Sequence, residues 1–197
     1  LAVGFGISVN RNKDFFFFIP PKLLCQYMYF PNPFVESHKL ANYIREHSSS
    51  NQTIAVLGSE PQLYFLSRRV SATGYIYTYS LMEQQDFASK MQREMTSEIE
   101  RAKPEFVVYV SYSLRYSWLW RPNVSDLYIF DWCNRFLRSD YRPVGLVEMT
   151  SQVNPANYYW GDQAAEIWNR QAAVLHLNPN APPHVWIFQR KNARRSC

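Results

Sequence analysis

The sequence predicts an α/β fold: a three-layer α/β/α sandwich around a mostly parallel sheet, Rossmann-like or flavodoxin-like, with room for one antiparallel edge strand. Three observations predict it. Thr53–Gly58, Phe106–Val110 and Val185–Gln189 are short, uninterrupted apolar runs of the kind that strands buried on both faces require. Segments between such runs repeat apolar residues at three- and four-residue steps, which marks amphipathic helices. The two patterns alternate along the chain, and alternation favours parallel strands joined by helical crossovers.

The elements follow in order. Residues 1–33 hold Pro20, Pro21, Pro31 and Pro33 around the run Phe15-Phe16-Phe17-Phe18-Ile19. Each proline fixes φ and removes a donor, so this stretch reads as an irregular or edge-strand lead-in, packed on the body by its Phe and Tyr side chains. A single α/β domain spans 34–190. It opens with a helix from Glu36, carried by Leu40, Tyr43, Ile44 and His47 and stopped at Ser48-Ser49-Ser50-Asn51. The strand Thr53–Gly58 runs into Gly58-Ser59-Glu60-Pro61, then a short helix at Gln62–Arg69, with Ser59 or Glu60 as its cap and Pro61 in its first turn. Ala72–Tyr79 alternates aromatics and predicts a second strand. Ala88, Met91, Met95, Ile99 and Ala102 form one stripe of a helix over Gln85–Lys103, which Pro104 ends. After the strand Phe106–Val110, Leu127, Phe130, Asn134 and Leu137 carry a helix over Ser125–Arg138, and Arg142–Met149 reads as a strand. Ser151–Pro183 is a long excursion with one weak helix at Gln163–Ala173, and loops of that length are more often functional than average. The last strand, Val185–Gln189, follows it and is the candidate for the antiparallel edge.

Composition bounds function. The chain has 197 residues, 47% hydrophobic and 19% charged, enough to bury a core and too apolar for disorder. Its longest apolar stretch, Phe15–Pro21, is far below the ~20 residues that cross a bilayer. No basic segment precedes an apolar one, so no signal peptide is read. The net charge of +5 comes mostly from Arg190, Lys191, Arg194 and Arg195, and 191–197 reads as a basic tail, either solvated or resting on anionic headgroups. Elsewhere acids and bases mix, unlike the basic stripe of a nucleic-acid binder. Cys25, Cys133 and Cys197 lack a C-x-x-C pair, and His38, His47, His176 and His184 lie apart, so neither a metal site nor a disulfide framework is written; one bridge stays open.

Gly4-Phe5-Gly6 is an incomplete dinucleotide loop with no strand before it, and no G-x-S-x-G elbow occurs. The turn Gly58–Pro61 matters more, because in open α/β sheets ligands bind beyond the carboxyl ends of strands. A phosphate cradle there would want more glycine and no Glu60. Glu60 instead suits a cap, a partner such as Arg68 or Arg69, or a hydroxyl-rich ligand. Two aromatic groups, Tyr112, Tyr116, Trp118 and Trp120, and Tyr158, Tyr159 and Trp160, read as loop residues that plug the core, stack on sugars or meet a membrane interface.

The strings Asn32-Pro33-Phe34-Val35-Glu36-Ser37, Ile54 through Phe65 around Gly58-Ser59-Glu60-Pro61, and Arg68 through Tyr77 around Ser71-Ala72-Thr73-Gly74-Tyr75-Ile76-Tyr77 carry a resemblance. Over roughly residues 30 to 148 the chain resembles the extracytoplasmic carboxyl-terminal domain of bacterial family-thirty-nine membrane glycosyltransferases, relatives of protein O-mannosyltransferases and the lipid A aminoarabinose transferase. The resemblance implies a polytopic parent at the periplasmic face of the inner membrane that moves a sugar from a polyprenyl-phosphate donor. Its catalytic carboxylate, and a divalent metal where one assists, would lie among the membrane helices. No position here matches the early extracytoplasmic loop that carries that carboxylate in the family, so no catalytic residue and no cofactor carry over to this domain. The implied partners are the membrane-embedded part, the membrane surface and a glycan or lipid-linked sugar. The candidate contact residues are Glu60, Arg68, Arg69, Tyr75 and Tyr77. A free-standing sugar- or nucleotide-binding module is the alternative.

Overall fold

The computed structural model describes residues 2–111, 118, 120, 121, 123–170 and 183–191. The predicted residues Tyr112, Tyr116, Arg194, Arg195 and Cys197, and the end of the helix expected at Gln163–Ala173, lie outside them.

The body is α/β, with a six-stranded open mixed sheet in the order β2-β1-β3-β6-β4-β5. The strands are β1 (Thr53–Leu57), β2 (Val70–Ser71), β3 (Phe106–Ser111), β4 (Tyr141–Glu148), β5 (Asn157–Trp160) and β6 (His184–Arg190). β1 pairs in parallel with both β2 and β3. β6 is antiparallel to β3 and β4, and β5 is antiparallel to β4. The expected last strand is therefore antiparallel but central; β5, which the aromatic run Tyr158-Tyr159-Trp160 hid as a loop, holds the edge. The sheet is parallel only at its β2-β1-β3 end.

Alternate side chains of the strands feed two cores. On one face Ala55, Leu57, Val107, Tyr109, Trp186 and Phe188 meet the helices α6 (Ala88–Ala102), α7 (Tyr128–Asp140) and α8 (Asp162–Arg170). On the other, Ile54, Val56, Val108 and Ile187 meet α3 (Phe34–Glu46) and α4 (Gln62–Ser67). Each fully buried Leu, Ile or Phe contributes roughly 1.5–3 kcal/mol of transfer free energy, so these paired clusters supply most of the drive to fold. Aromatics dominate the first: the Trp118 ring lies 4.9 Å from Phe130, and Trp168 lies edge-on to Phe188 at 4.9 Å. Trp118 is fully buried and donates to Val110 O at 2.9 Å, which makes it a plug. Gly145 is required where β4 meets β5, since a Cβ there would sit 2.7 Å from the Trp160 ring.

Two expectations fail for identifiable reasons. Residues 72–79 form no strand beyond β2, because their polar groups bond across to α6: Thr73 Oγ1 and Gly74 N–H both donate to Glu98 Oε2, at 2.5 and 2.9 Å. The lead-in is helical rather than irregular, with α1 (Ala2–Arg11), a π-helical turn at Asp14–Phe18 and α2 (Pro21–Tyr29). Its prolines stand between helices: Pro20 and Pro33 are N-caps, and Pro21 is a first helical residue, where a missing N–H costs nothing. Nor does the phenylalanine run pack on the body, since Phe15–Phe18 are all exposed. α5 (Tyr79–Met82) completes the set. At the other terminus Lys191, expected in a basic tail, caps α7 by donating Nζ to Arg138 O at 2.8 Å and Ser139 O at 2.9 Å.

Candidate functional site

After β1 the chain leaves through α4 on one face, whereas after β3 it leads to α7 on the other. Adjacent parallel strands with opposite exits make a topological switch point, the place where open α/β sheets form crevices for ligands. Gly58, Ser59 and Glu60 lie at its β1 side, with Gly58 at φ 139°, a conformation L side chains rarely adopt.

Three of the five sequence-predicted residues, Glu60, Tyr75 and Tyr77, lie around this region without converging on one point. Glu60 is buried and accepts from Gln62 Nε2 at 2.6 Å, and the same amide donates to Ser37 Oγ on α3 at 3.1 Å. Ser59 does not cap α4, whose N-cap is Pro61 and has no side-chain cap bond. Its hydroxyl instead meets Thr78 Oγ1 at 3.1 Å and accepts from Thr78 N–H at 3.0 Å. That pair ties the β1 turn to the loop that carries Tyr75 and Tyr77. Tyr77 is exposed, with its ring 5.9 Å from Tyr79. Burial raises the Tyr79 pKa, and the neighbouring Glu60 charge adds to the rise. Tyr75 faces α6: its hydroxyl donates to Glu94 Oε2 at 2.8 Å, and burial together with that carboxylate pushes its pKa up to about 12.

Arg68 and Arg69 stand at the far end of α4, about 9 Å away along its axis. Arg68 ends the helix at φ 56° and lines an open groove of about 610 Å3 with Arg45, Phe65 and Val70. Arg69 is buried, and its five N–H donors are all used: Nε on Ser48 Oγ, Nη1 on Ser67 O and Arg68 O, Nη2 on Arg45 O and Ser48 O, at 2.6–3.2 Å. It has none left for a ligand. Arg69 is a clamp on the carboxyl ends of α3 and α4, where a cation is favoured by the helix dipoles.

Reasoning from sequence named Glu60 as a contact residue and Ser59 only as a candidate cap, and did not single out Gln62, Thr78 or Tyr79 beside them. It also missed Glu36, which is buried at the start of α3 and lines a narrow crevice with Gln26, Asn32 and Met149 that has room for about one water. Burial raises the Glu36 pKa, opposed by its own backbone N–H and by Lys22. The available signal was a lone acid in an apolar helix start. Among the described residues no three His, Cys, Asp or Glu side chains cluster to hold a metal, and Cys25 and Cys133 are both free thiols. The surface the arrangement presents is the ring pair Tyr77 and Tyr79, beside a carboxylate and hydroxyls that are buried and hydrogen-bonded within the turn. Searches of protein-family models, of curated proteins and of solved structures returned no match to this chain.

Proposed function

We propose that this chain is the water-facing, noncatalytic lobe of a polytopic membrane glycosyltransferase, at the periplasmic face of the bacterial inner membrane, which docks the acceptor or covers the active site. The parent would move a sugar from a polyprenyl-phosphate donor, with its catalytic carboxylate and any divalent metal among the membrane helices. One observation carries the reading: the two strings most specific to the resemblance, Gly58-Ser59-Glu60-Pro61 and Ser71 through Tyr77, adjoin at the sheet's switch point through the Ser59 and Thr78 bonds. The exposed aromatic rings there, Tyr77 and Tyr79, suit the apolar faces of sugar rings. The finer architecture we infer is a three-layer, flavodoxin-like or Rossmann-like sandwich, supported by cores on both faces of the sheet.

The test is the native polypeptide and the isolated lobe together. About eight or more apolar segments, each of about 20 residues, preceding this lobe are expected, with no turnover by the lobe alone. A native chain that begins near Leu1, or unaided turnover, would overturn the reading. Submicromolar glycan affinity of the isolated lobe would favour the free-standing binding module.

A further inference from the structure

The apolar surface of this molecule is distributed by end. β1, β2, β3 and β4 all point one way, so the sheet has a carboxyl edge, where those strands finish, and an amino edge, where they start. Among the described residues every exposed large apolar side chain except Phe65 and Val70 belongs to the lead-in or to a segment at the carboxyl edge: Phe34 at the start of α3, Ile76, Tyr77 and Tyr79 after β2, Phe87 before α6, Val124 and Leu127 before α7, and Val153 after β4. The lead-in joins this edge directly. Gln26 on α2 donates to Asn154 O in the loop after β4 at 2.6 Å, and the Tyr29 ring meets Phe34 at 5.3 Å.

We infer that the carboxyl edge and the lead-in form a membrane-docking surface that immerses Phe15–Phe18 in the interface of an anionic lipid bilayer. The shape of the apolar surface chooses the occupant. Phe15, Phe16, Phe17 and Phe18 are 42, 55, 69 and 70% exposed on consecutive positions of the π-helical turn. That turn is closed by the Ile19 N–H to Asp14 O bond, so its side chains radiate in different directions. A protein groove or a second copy would cover one stripe of such a turn and leave the rest wet. A lipid interface surrounds it, and an element apolar on every side belongs in a core or a membrane. The flanks agree. Arg11, Lys13 and Lys22 are exposed around the run, against the single acid Asp14, and Tyr27 and Tyr29 are exposed beyond it. Cations match anionic headgroups, and tyrosines match the headgroup level. No helix among the described residues is long and apolar enough to cross, so the contact is immersion at the interface. It stands whether or not a transferase body precedes the lobe.

The test floats the whole 197-residue chain with vesicles of phosphatidylcholine alone or with about a quarter phosphatidylglycerol. Binding to the anionic vesicles is expected, with F15S/F16S/F17S/F18S lowering it more than about a hundredfold. R11Q/K13Q/K22Q should lower it about fivefold per charge on anionic vesicles and leave the neutral ones unchanged. F65S/V70S, at the opposite edge, should stay within about twofold of the parent. Melting curves check that each variant folds, and sedimentation without lipid checks for self-association. Equal loss at both edges, no effect of the phenylalanine changes, absence of vesicle binding, or a dimer held by Phe15–Phe18 without lipid affinity would each overturn the inference. Because the readout is lipid binding, a native chain lacking membrane helices would sink the transferase reading and leave this one standing.

Discussion

At the amino edge of the parallel strands the chain spends its polar groups on itself, whereas at the carboxyl edge it presents aromatic surface outward. Arg69 binds the ends of α3 and α4, and Glu105 is a second node: it accepts from Gln52 Nε2 and Gln189 Nε2, both at 3.1 Å, and pairs with Arg190 at 3.4 Å. Both are buried. The carboxyl edge has Phe34, Tyr77, Tyr79 and Val153 exposed beside the buried Ser59 and Glu60. One edge is tied together by internal hydrogen bonds, and among the described residues its exposed apolar surface is confined to Phe65 and Val70 beside the Arg68 groove. The other carries apolar area that remains costly to leave in water until something covers it.

The largest expected effect breaks the closed edge. Arg69→Ala leaves one buried and three part-buried carbonyls and the Ser48 hydroxyl without their donor, at about 3–5 kcal/mol, or a melting midpoint lowered by roughly 10 °C. Arg69→Lys should recover less than half of it, because an ammonium offers three donors and no planar fork. Urea and thermal unfolding measure both, and glycan or lipid affinity of whatever remains folded should not move. An Arg69→Ala protein as stable as its parent would mean that the clamp is ornamental and the contrast between the edges false.

That role could not be read from the chain. Arg69 sits among residues that carry the resemblance, yet its partners Arg45, in α3, and Ser48, just past its end, stand more than twenty positions earlier. The buried strands were legible, since a strand covered on both faces must be apolar through its buried stretch, and Ile54–Leu57, Phe106–Val110 and Val185–Phe188 are. α6 and α7 were legible from one-sided periodicity. What failed was whatever depended on pairing partners. Tyr75, Tyr77 and Tyr79 alternate as a strand would, but no strand stands beside them and α6 supplies Glu94 and Glu98 instead. β6 entered the middle of the sheet because strand order is a tertiary fact. Of the site, the turn at Glu60 was legible by its place after a buried strand, and its link to Thr78 was not.

A middle-sized effect sharpens the comparison through pH. The Tyr75 hydroxyl donates to Glu94, and its pKa is pushed up from 10.0 to about 12 by burial and by the carboxylates of Glu94 and Glu98. A group whose folded pKa lies above its unfolded value stabilises the fold fully below the unfolded pKa and loses that contribution as pH climbs to the folded one. The stability difference between the parent and Tyr75→Phe should therefore be small, below about 1 kcal/mol at neutral pH for a bond screened by solvent, and shrink between pH 10 and about 12. Chemical unfolding at several pH values measures it. A difference independent of pH would remove Tyr75 from the bond that holds this loop to α6.

The smallest effect on stability is expected at Tyr77, and it separates contact from support. Its side chain is about half exposed, with its ring 5.9 Å from Tyr79, so Tyr77→Ala should cost less than about 1 kcal/mol. A hydroxyl-rich ligand seated at the switch point would nonetheless lose a stacking face, worth roughly 0.5–1.5 kcal/mol or about three- to tenfold in affinity. Calorimetric titration with oligosaccharides on parent and variant reads that difference, with Ser59→Ala as the comparison that disturbs the buried bond to Thr78. If Tyr77→Ala leaves glycan affinity untouched while Ser59→Ala abolishes it, the ligand sits on the β1 turn alone. If both are silent, the aromatic edge serves the membrane and not a sugar, because a lipid interface tolerates the loss of one ring among many whereas a sugar site built on two does not.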